Sequence, residues 1–269
     1  MTDRDGGLPG VLSTLWRGCH PLPAAAVTAL SGVLAVALGQ PLRTAALAAA
    51  TIGATQLSIG WANDAVDAPR DQASGRADKP LVARPGLRRT LWAASGVAAA
   101  VTGLAALAWG WPRGFLVFSA LIAAQLYNWP LKSTVASVVP YLVCFGLLPA
   151  FLAPGVPGWV IAAAALLGAA AHFVNVIPDL ADDEATGVRG LPHRLGAKAS
   201  LYLASALLIA VTVLLVLGAR PPLWAAITAS LGAASLPLLS HFAQPRFAFR
   251  ALLAIAAVDV VLLVMTGVQ

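Results

Sequence analysis

Nine residues, Asn63-Asp64-Ala65-Val66-Asp67-Ala68-Pro69-Arg70-Asp71, place an amide and three carboxylates directly after the apolar run ending Gly60-Trp61-Ala62. A second knot, Asp179, Asp182, Asp183 and Glu184, follows another apolar run. With Asp78, the two knots hold eight of the 11 acidic residues in the chain. On a helix each residue advances ~100°, so Asn63, Asp67, Asp71 and Asp64 fall at ~0°, 40°, 80° and 100°. All four then share one face. Asp182, Asp179 and Asp183 span a similar arc. Acids on one helix face repel by roughly 0.2–0.5 kcal/mol per pair, so the cluster calls for a counter-charge. A hard divalent cation supplies it, and Mg²⁺ takes one or two carboxylates together with phosphate oxygens and water. Pro69 removes a helical hydrogen bond to Ala65 and is expected to kink or end the helix there.

The same stretches carry cations suited to phosphate: Arg70, Arg76, Lys79, Arg189 and Arg194, with Lys132 on the next turn of the same side. Carboxylates that hold metal beside Lys and Arg donors suit a diphosphate, in which metal bridges oxygens and the cations neutralise the rest. An apolar cavity between helices would hold a lipid tail. The implied reaction is ionisation of an allylic prenyl diphosphate, with the helix bundle shielding a carbocation from water. A solvated acidic cap on a helix is the plainer reading of a single Asp. It does not suit two knots on one face of a chain otherwise nearly free of acids. A calcium loop of EF-hand type is excluded, because its 12-residue spacing is absent.

The elements that must position these residues are membrane helices. Hydrophobic residues make up 59% of the chain, charged residues 10%, and mean hydropathy is +0.82. A soluble domain carries roughly a quarter charged residues. The expected fold is all-α: a polytopic membrane protein with nine transmembrane helices around a central cavity. The candidate spans are about 22–40, 42–62, 90–110, 114–130, 134–153, 157–178, 198–219, 222–240 and 247–267. No polar linker divides the chain, so residues 1–269 read as one domain. Residues 1–21 form a polar N-terminal segment, without the h-region of a signal peptide. The long connections 63–89 and 179–197 are the active-site loops.

Nine spans place both loops on the side of the N-terminus. All but three of the 17 lysines and arginines fall on that side, the exceptions being Arg43, Arg113 and Arg220. Positive residues concentrate on cytoplasmic loops, so the N-terminus and both acidic loops are expected to be cytoplasmic. The net charge of +6 therefore encodes topology, and no basic run with interleaved aromatics suggests nucleic acid. Cys19 and Cys144 are too few and too dispersed for a disulfide framework or a metal knot. Each knot also begins with an asparagine, Asn63 or Asn175, and four spans separate them. This loose repeat would bring the knots face to face across a cavity.

At these residues the sequence resembles the UbiA-type intramembrane prenyltransferases. Asn63-Asp64-x-x-Asp67-x-x-x-Asp71 is similar to that family's first motif. Asp179-x-x-x-Asp183 with Gly187 and Arg194-Leu195-Gly196 is similar to the second motif and its trailing loop. Tyr127 through Pro130-Leu131-Lys132 resembles the family's Tyr…Lys element after the fourth helix. The resemblance covers the whole chain. It implies that Asp64, Asp67, Asp71, Asp179 and Asp183 surround two Mg²⁺ ions, with Asn63 in support. It implies diphosphate partners in Arg76, Lys79, Lys132 and Arg194. Lys79-Pro80-Leu81 stands where Arg-Pro-Leu is common, and Val188 and Gly190 replace the Lys and Thr of quinone-pathway members. These departures leave the acceptor open: a lipid-soluble molecule, or none in a membrane terpene cyclase. A cation transporter is a third reading, though its sites tend to lie at the midplane.

Other residues have two readings each. Gln56, Tyr127, Asn128, His172 and Asn175 are candidates for the substrate cavity. For His172 the alternative is helix packing, and for Trp129 an aromatic belt. His193 could contact phosphate or cap a helix. Asp259, the one acid well inside a span, is either functional or an interhelical hydrogen-bonding group.

Overall fold

The computed structural model describes residues 7–242 and 245–266. Residues 1–6 of the expected N-terminal segment, with Asp3, Arg4 and Asp5, lie outside the described residues. So do the side chains of Asp182 and Arg246.

Long runs of Ala, Leu and Val without interior charge form helices throughout, because straight-chain apolar residues and Ala lose little on entering a helix. In chain order these are α1 (Leu8–Gly18), α2 (Pro21–Ala37), α3 (Leu42–Ala73), α4 (Pro80–Ala83), α5 (Arg88–Trp109) and α6 (Arg113–Asn128). They continue as α7 (Val139–Leu152), α8 (Gly158–Val176), α9 (Leu180–Ala185), α10 (Leu191–Ala219), α11 (Leu223–Phe242) and α12 (Pro245–Thr266). Among the described residues, nine helices of 14 or more residues overlap the nine expected segments. Five segments have the length and apolar composition to cross a membrane, and the bent pair α1–α2 would make a sixth. That measure is shorter than nine because helices such as the 16-residue α6 reach only ~24 Å.

Successive long helices pack side by side, and α12 returns to α2, closing a ring. Close approach is made by small residues and hydroxyls. Ser95 Oγ donates to Ser58 O at 2.8 Å, and Trp109 Nε1 donates to Thr51 Oγ1 at 3.0 Å, joining α5 to α3. Between α12 and α10, Thr212 Oγ1 lies 2.8 Å from Asp259 Oδ1, so Asp259 does make an interhelical hydrogen bond.

Within the polar N-terminal segment residues 8–18 form α1, which meets α2 at a 58° bend. Two local expectations are corrected. The first active-site loop does not begin at residue 63, because α3 runs on to Ala73. Pro69 lies inside that helix and does not end it. The carbonyl of Ala65, which Pro69 cannot reach with an N–H, accepts Arg88 Nε from α5 at 2.8 Å. A hydrogen bond from a charged donor contributes about 2 kcal/mol, comparable to the cost of the missing helical bond. The second loop, 179–197, also carries structure: α9, and the first turn of α10. That turn is set off by Gly196, whose φ of 78° breaks the helix.

Candidate active site

The continuation of α3 past residue 62 carries the first acidic face as rigid helix. Asp64, Asp67 and Asp71 are all buried, with exposures of 1%, 5% and 3%. They open onto a cavity of about 720 Å³. Asp179 and Asp183, from the segment after α8, line the same cavity. All five expected carboxylates are therefore brought together, across a gap that the sequence alone does not measure.

The acids are met by lysine, arginine and histidine side chains from separate parts of the chain. Lys79 Nζ lies 2.9 Å from Asp64 Oδ1, and His20 Nε2 lies 3.0 Å from the same oxygen. Lys132 Nζ is 2.6 Å and Arg70 Nη2 2.8 Å from Asp67 Oδ2. His193 Nε2 is 3.3 Å from Asp183 Oδ2. At the cavity mouth Arg76 pairs with Asp78 at 3.0 Å. The Arg76 guanidinium holds the Asp78 carboxyl below the usual carboxylate range, and Asp78 in turn raises Arg76. Asn63 Nδ2 donates to Asn128 Oδ1 at 3.1 Å, and Asn128 Nδ2 donates to Ile59 O, so both amides brace the acid face of α3 against α6.

Of the expected diphosphate partners, Arg76, Lys79 and Lys132 line the cavity. Arg189 and Arg194 do not. Arg194 Nε instead donates to Arg189 O at 3.0 Å, turning back on its own loop. Of the expected cavity residues, Gln56, Tyr127, Asn128 and Asn175 line it. His172 does not; it is buried behind the wall, with Nε2 3.0 Å from Ser137 Oγ and its ring against Tyr127 and Tyr141. Helix packing is thus what His172 does here.

Two lining residues escaped sequence reasoning. Tyr141 meets Tyr127 edge-on, with ring centroids 5.2 Å apart, and stacks near Phe145 on the cavity wall. His20 reaches Asp64 because the α1–α2 corner lies hard against α3. A Cβ at Gly60 would stand 2.7 Å from the Cys19 carbonyl oxygen, so only glycine permits that approach. The one available signal was a titratable side chain at the head of the first span, on the same side as the acids.

Away from the acids the cavity becomes apolar. Val27, Gln56, Ile59, Cys144 and Phe145 are shared with a deeper chamber of about 110 Å³, walled by residues such as Leu34, Leu148 and Leu263. One end of the site is thus ionic and the other greasy.

Among the described residues, no three His, Cys, Asp or Glu side chains converge closely enough to hold a cation unaided. Mg²⁺ does not need such a cage, because phosphate oxygens and water complete its shell. The donors present are hard carboxylate oxygens, and Asp64 Oδ2 is buried with no hydrogen-bond partner. This donor set fits Mg²⁺ bound jointly with a diphosphate.

Residues 25–251 match the model of the UbiA prenyltransferase family. The chain belongs to that family. Solved structures share its fold. A chain from work on digeranylgeranylglyceryl phosphate synthase in membranes superposes with a TM-score of 0.72 at 15% identity, covering 96% of this chain and 99% of that one. The apo UbiA homologue from Aeropyrum pernix K1 gives 0.69 at 19% identity, covering 95% and 98%. The UbiA homologue from Archaeoglobus fulgidus bound to GPP and Mg²⁺ gives 0.68 at 18% identity, covering 94% and 99%. No curated protein matches the chain in sequence.

Proposed function

We propose that this UbiA-family chain is a Mg²⁺-dependent prenyltransferase. It moves a prenyl group from an allylic prenyl diphosphate to a lipid-soluble acceptor. One observation carries the reading. Asp64, Asp67, Asp71, Asp179 and Asp183, from two separate segments, line one cavity together with Arg17, Arg70, Arg76, Lys79 and Lys132, and the walls away from them are apolar. The family membership supports it, as does the Archaeoglobus fulgidus homologue bound to GPP and Mg²⁺.

In this reading Asp64, Asp67, Asp71, Asp179 and Asp183 would hold Mg²⁺, in the proposal two ions, together with the diphosphate, and Asn63 braces the first motif. Bound Mg²⁺ would supply charge neutralisation for the leaving diphosphate. Arg76, Lys79 and Lys132 neutralise the remaining oxygens, while Arg189 and Arg194 stay outside this first contact. The C1–O bond of the substrate breaks with its electron pair leaving on the diphosphate. Tyr127, Tyr141 and Phe145 present aromatic faces to the allylic cation, and such faces attract cations. The apolar walls exclude water that would quench it. The acceptor then supplies the electron pair of the new bond and releases a proton. In this reading all nine long helices span the membrane, with the N-terminus and the acid end on the cytoplasmic side, a placement that the Lys and Arg distribution supports.

The acids' pairing with Lys, Arg and His at one end of the bundle does not suit a midplane ion pathway. The test is direct. Membranes containing the chain are incubated with geranyl diphosphate and Mg²⁺, with and without a lipid-soluble phenolic acceptor. Mg²⁺-dependent diphosphate release that rises with acceptor supports the transferase. A cyclic hydrocarbon or alcohol formed rapidly without acceptor replaces it with a membrane terpene cyclase. Ion flux without diphosphate release overturns both.

A further inference from the structure

The end of the bundle away from the acids holds a second cavity, of about 550 Å³. Its walls include Arg220 at the end of α10, Trp224 and Thr228 of α11, and Val261 and Met265 of α12. The part of α10 after Gly196, residues 197–219, puts ~34 Å of helix between this cavity and the second acidic loop. It is therefore separate from the proposed active site and does not rest on that reading.

Arg220 is the one charged residue among the described residues that line it. Pro221 follows and bars the helical conformation, so α10 stops and Arg220 turns left-handed with φ 48°. Among the described residues Arg220 takes part in no ion pair. The described acids lie at the other end of the bundle, except Asp259, which is buried and bonded to Thr212. By contrast Arg113, at the same end as Arg220, is committed to the carbonyls of Phe151 and Leu152 at 2.8 and 3.0 Å. Arg220 is exposed at the rim of an apolar cavity, and among the described residues no carboxylate meets it, so an anion carrying an apolar tail complements both features. The planar guanidinium fork matches phosphate oxygens. Two of the other walls, Trp224 and Met265, are apolar and exposed, at 65% and 67%. Tryptophan at that depth is the residue of a membrane interface.

We propose that this cavity binds an anionic phospholipid, its phosphate against Arg220 and one acyl chain along Val261 and Met265. The occupant combines the two features the walls present, an anion and a hydrocarbon chain.

The experiment uses the full chain in detergent, titrated with phosphatidylglycerol or phosphatidylcholine. Native mass spectrometry reads retained lipid, and thermal unfolding reads Tm. Phosphatidylglycerol is expected to be retained about tenfold better, the scale of one charge-assisted contact, and to raise Tm. Arg220→Gln removes that preference and leaves diphosphate release unchanged. Val261→Trp fills the cavity and lowers retention of both lipids, which tests the site without altering charge. Equal retention of the two lipids overturns the proposal, as does retention of phosphatidylglycerol that neither variant alters. A dimer broken by Val261→Trp, with no bound lipid, assigns the face to a second copy and also overturns it.

Discussion

Lys132 Nζ lies 2.6 Å from Asp67 Oδ2, tying the turn after α6 to the acidic face of α3 across the mouth of the cavity. The two residues are far apart in the chain, and the contact sets a cation from one segment beside the acids of another that are proposed to hold Mg²⁺. In the proposed reaction Lys132 serves the leaving diphosphate as well as Asp67. Lys132→Met should then cut diphosphate release by about 100-fold, the cost of removing one preorganised charge donor. Steady-state kinetics check this, with Tm as the control for folding. Full activity in the variant would remove Lys132 from the site.

Asp64 concentrates the contacts of His20 and Lys79 on one oxygen and leaves the other without a partner. Asp64→Asn keeps the shape and removes the charge. Mn²⁺ binding in the presence of inorganic pyrophosphate should fall by more than about tenfold. Chelation of the wild type with EDTA should abolish diphosphate release, and added Mg²⁺ should restore it. Electron paramagnetic resonance of Mn²⁺ gives the binding directly. Unchanged binding in the variant would reassign the first motif.

Gly60 lets the α1–α2 corner rest on α3, and a Cβ there would meet the Cys19 backbone at 2.7 Å. Backbone cannot rotate away as a flexible side chain can. Gly60→Ala should therefore cost about 1–3 kcal/mol, the range for overpacking. It should also move His20 off Asp64. A lowered Tm with weakened Mn²⁺ binding is the expected pair of results. An unchanged Tm would mean that the corner shifts freely.

Asp259 is 1% exposed and bonded to Thr212 across α10 and α12, outside the acid-lined cavity. Its part is packing. Asp259→Ala should lower stability by about 1 kcal/mol, as interhelical hydrogen bonds in membranes do, and spare Mg²⁺-dependent diphosphate release. A folded but inactive variant would return Asp259 to a functional role.

Much of this molecule is legible in one dimension. The apolar runs locate all nine long helices, though α3 runs on past its expected end to Ala73 and α10 begins early at Leu191, since a charge-free stretch of hydrocarbon leaves helix as the cheapest way to satisfy its backbone. The spacing Asn63, Asp64, Asp67, Asp71 puts those side chains on one helix face whatever else packs around it, because helical periodicity is local. These features depend on neighbours along the chain, and the sequence contains those neighbours.

What the sequence alone does not determine depends on partners brought from elsewhere. Pro69 reads as a helix end until Arg88 of α5 supplies the donor that its ring removes. Arg194 reads as a diphosphate ligand until its loop turns it toward Arg189. His172 reads as a cavity residue until Ser137 and two tyrosine rings enclose it. His20 reads as nothing in particular until Gly60 admits the corner that carries it to Asp64. The helix types and the acid faces belong to the sequence by itself, because backbone hydrogen bonds and helical periodicity act over a few residues. The choice of which cation meets which acid belongs to the tertiary structure, because a charge pair forms only where packing sets two groups within about 4 Å.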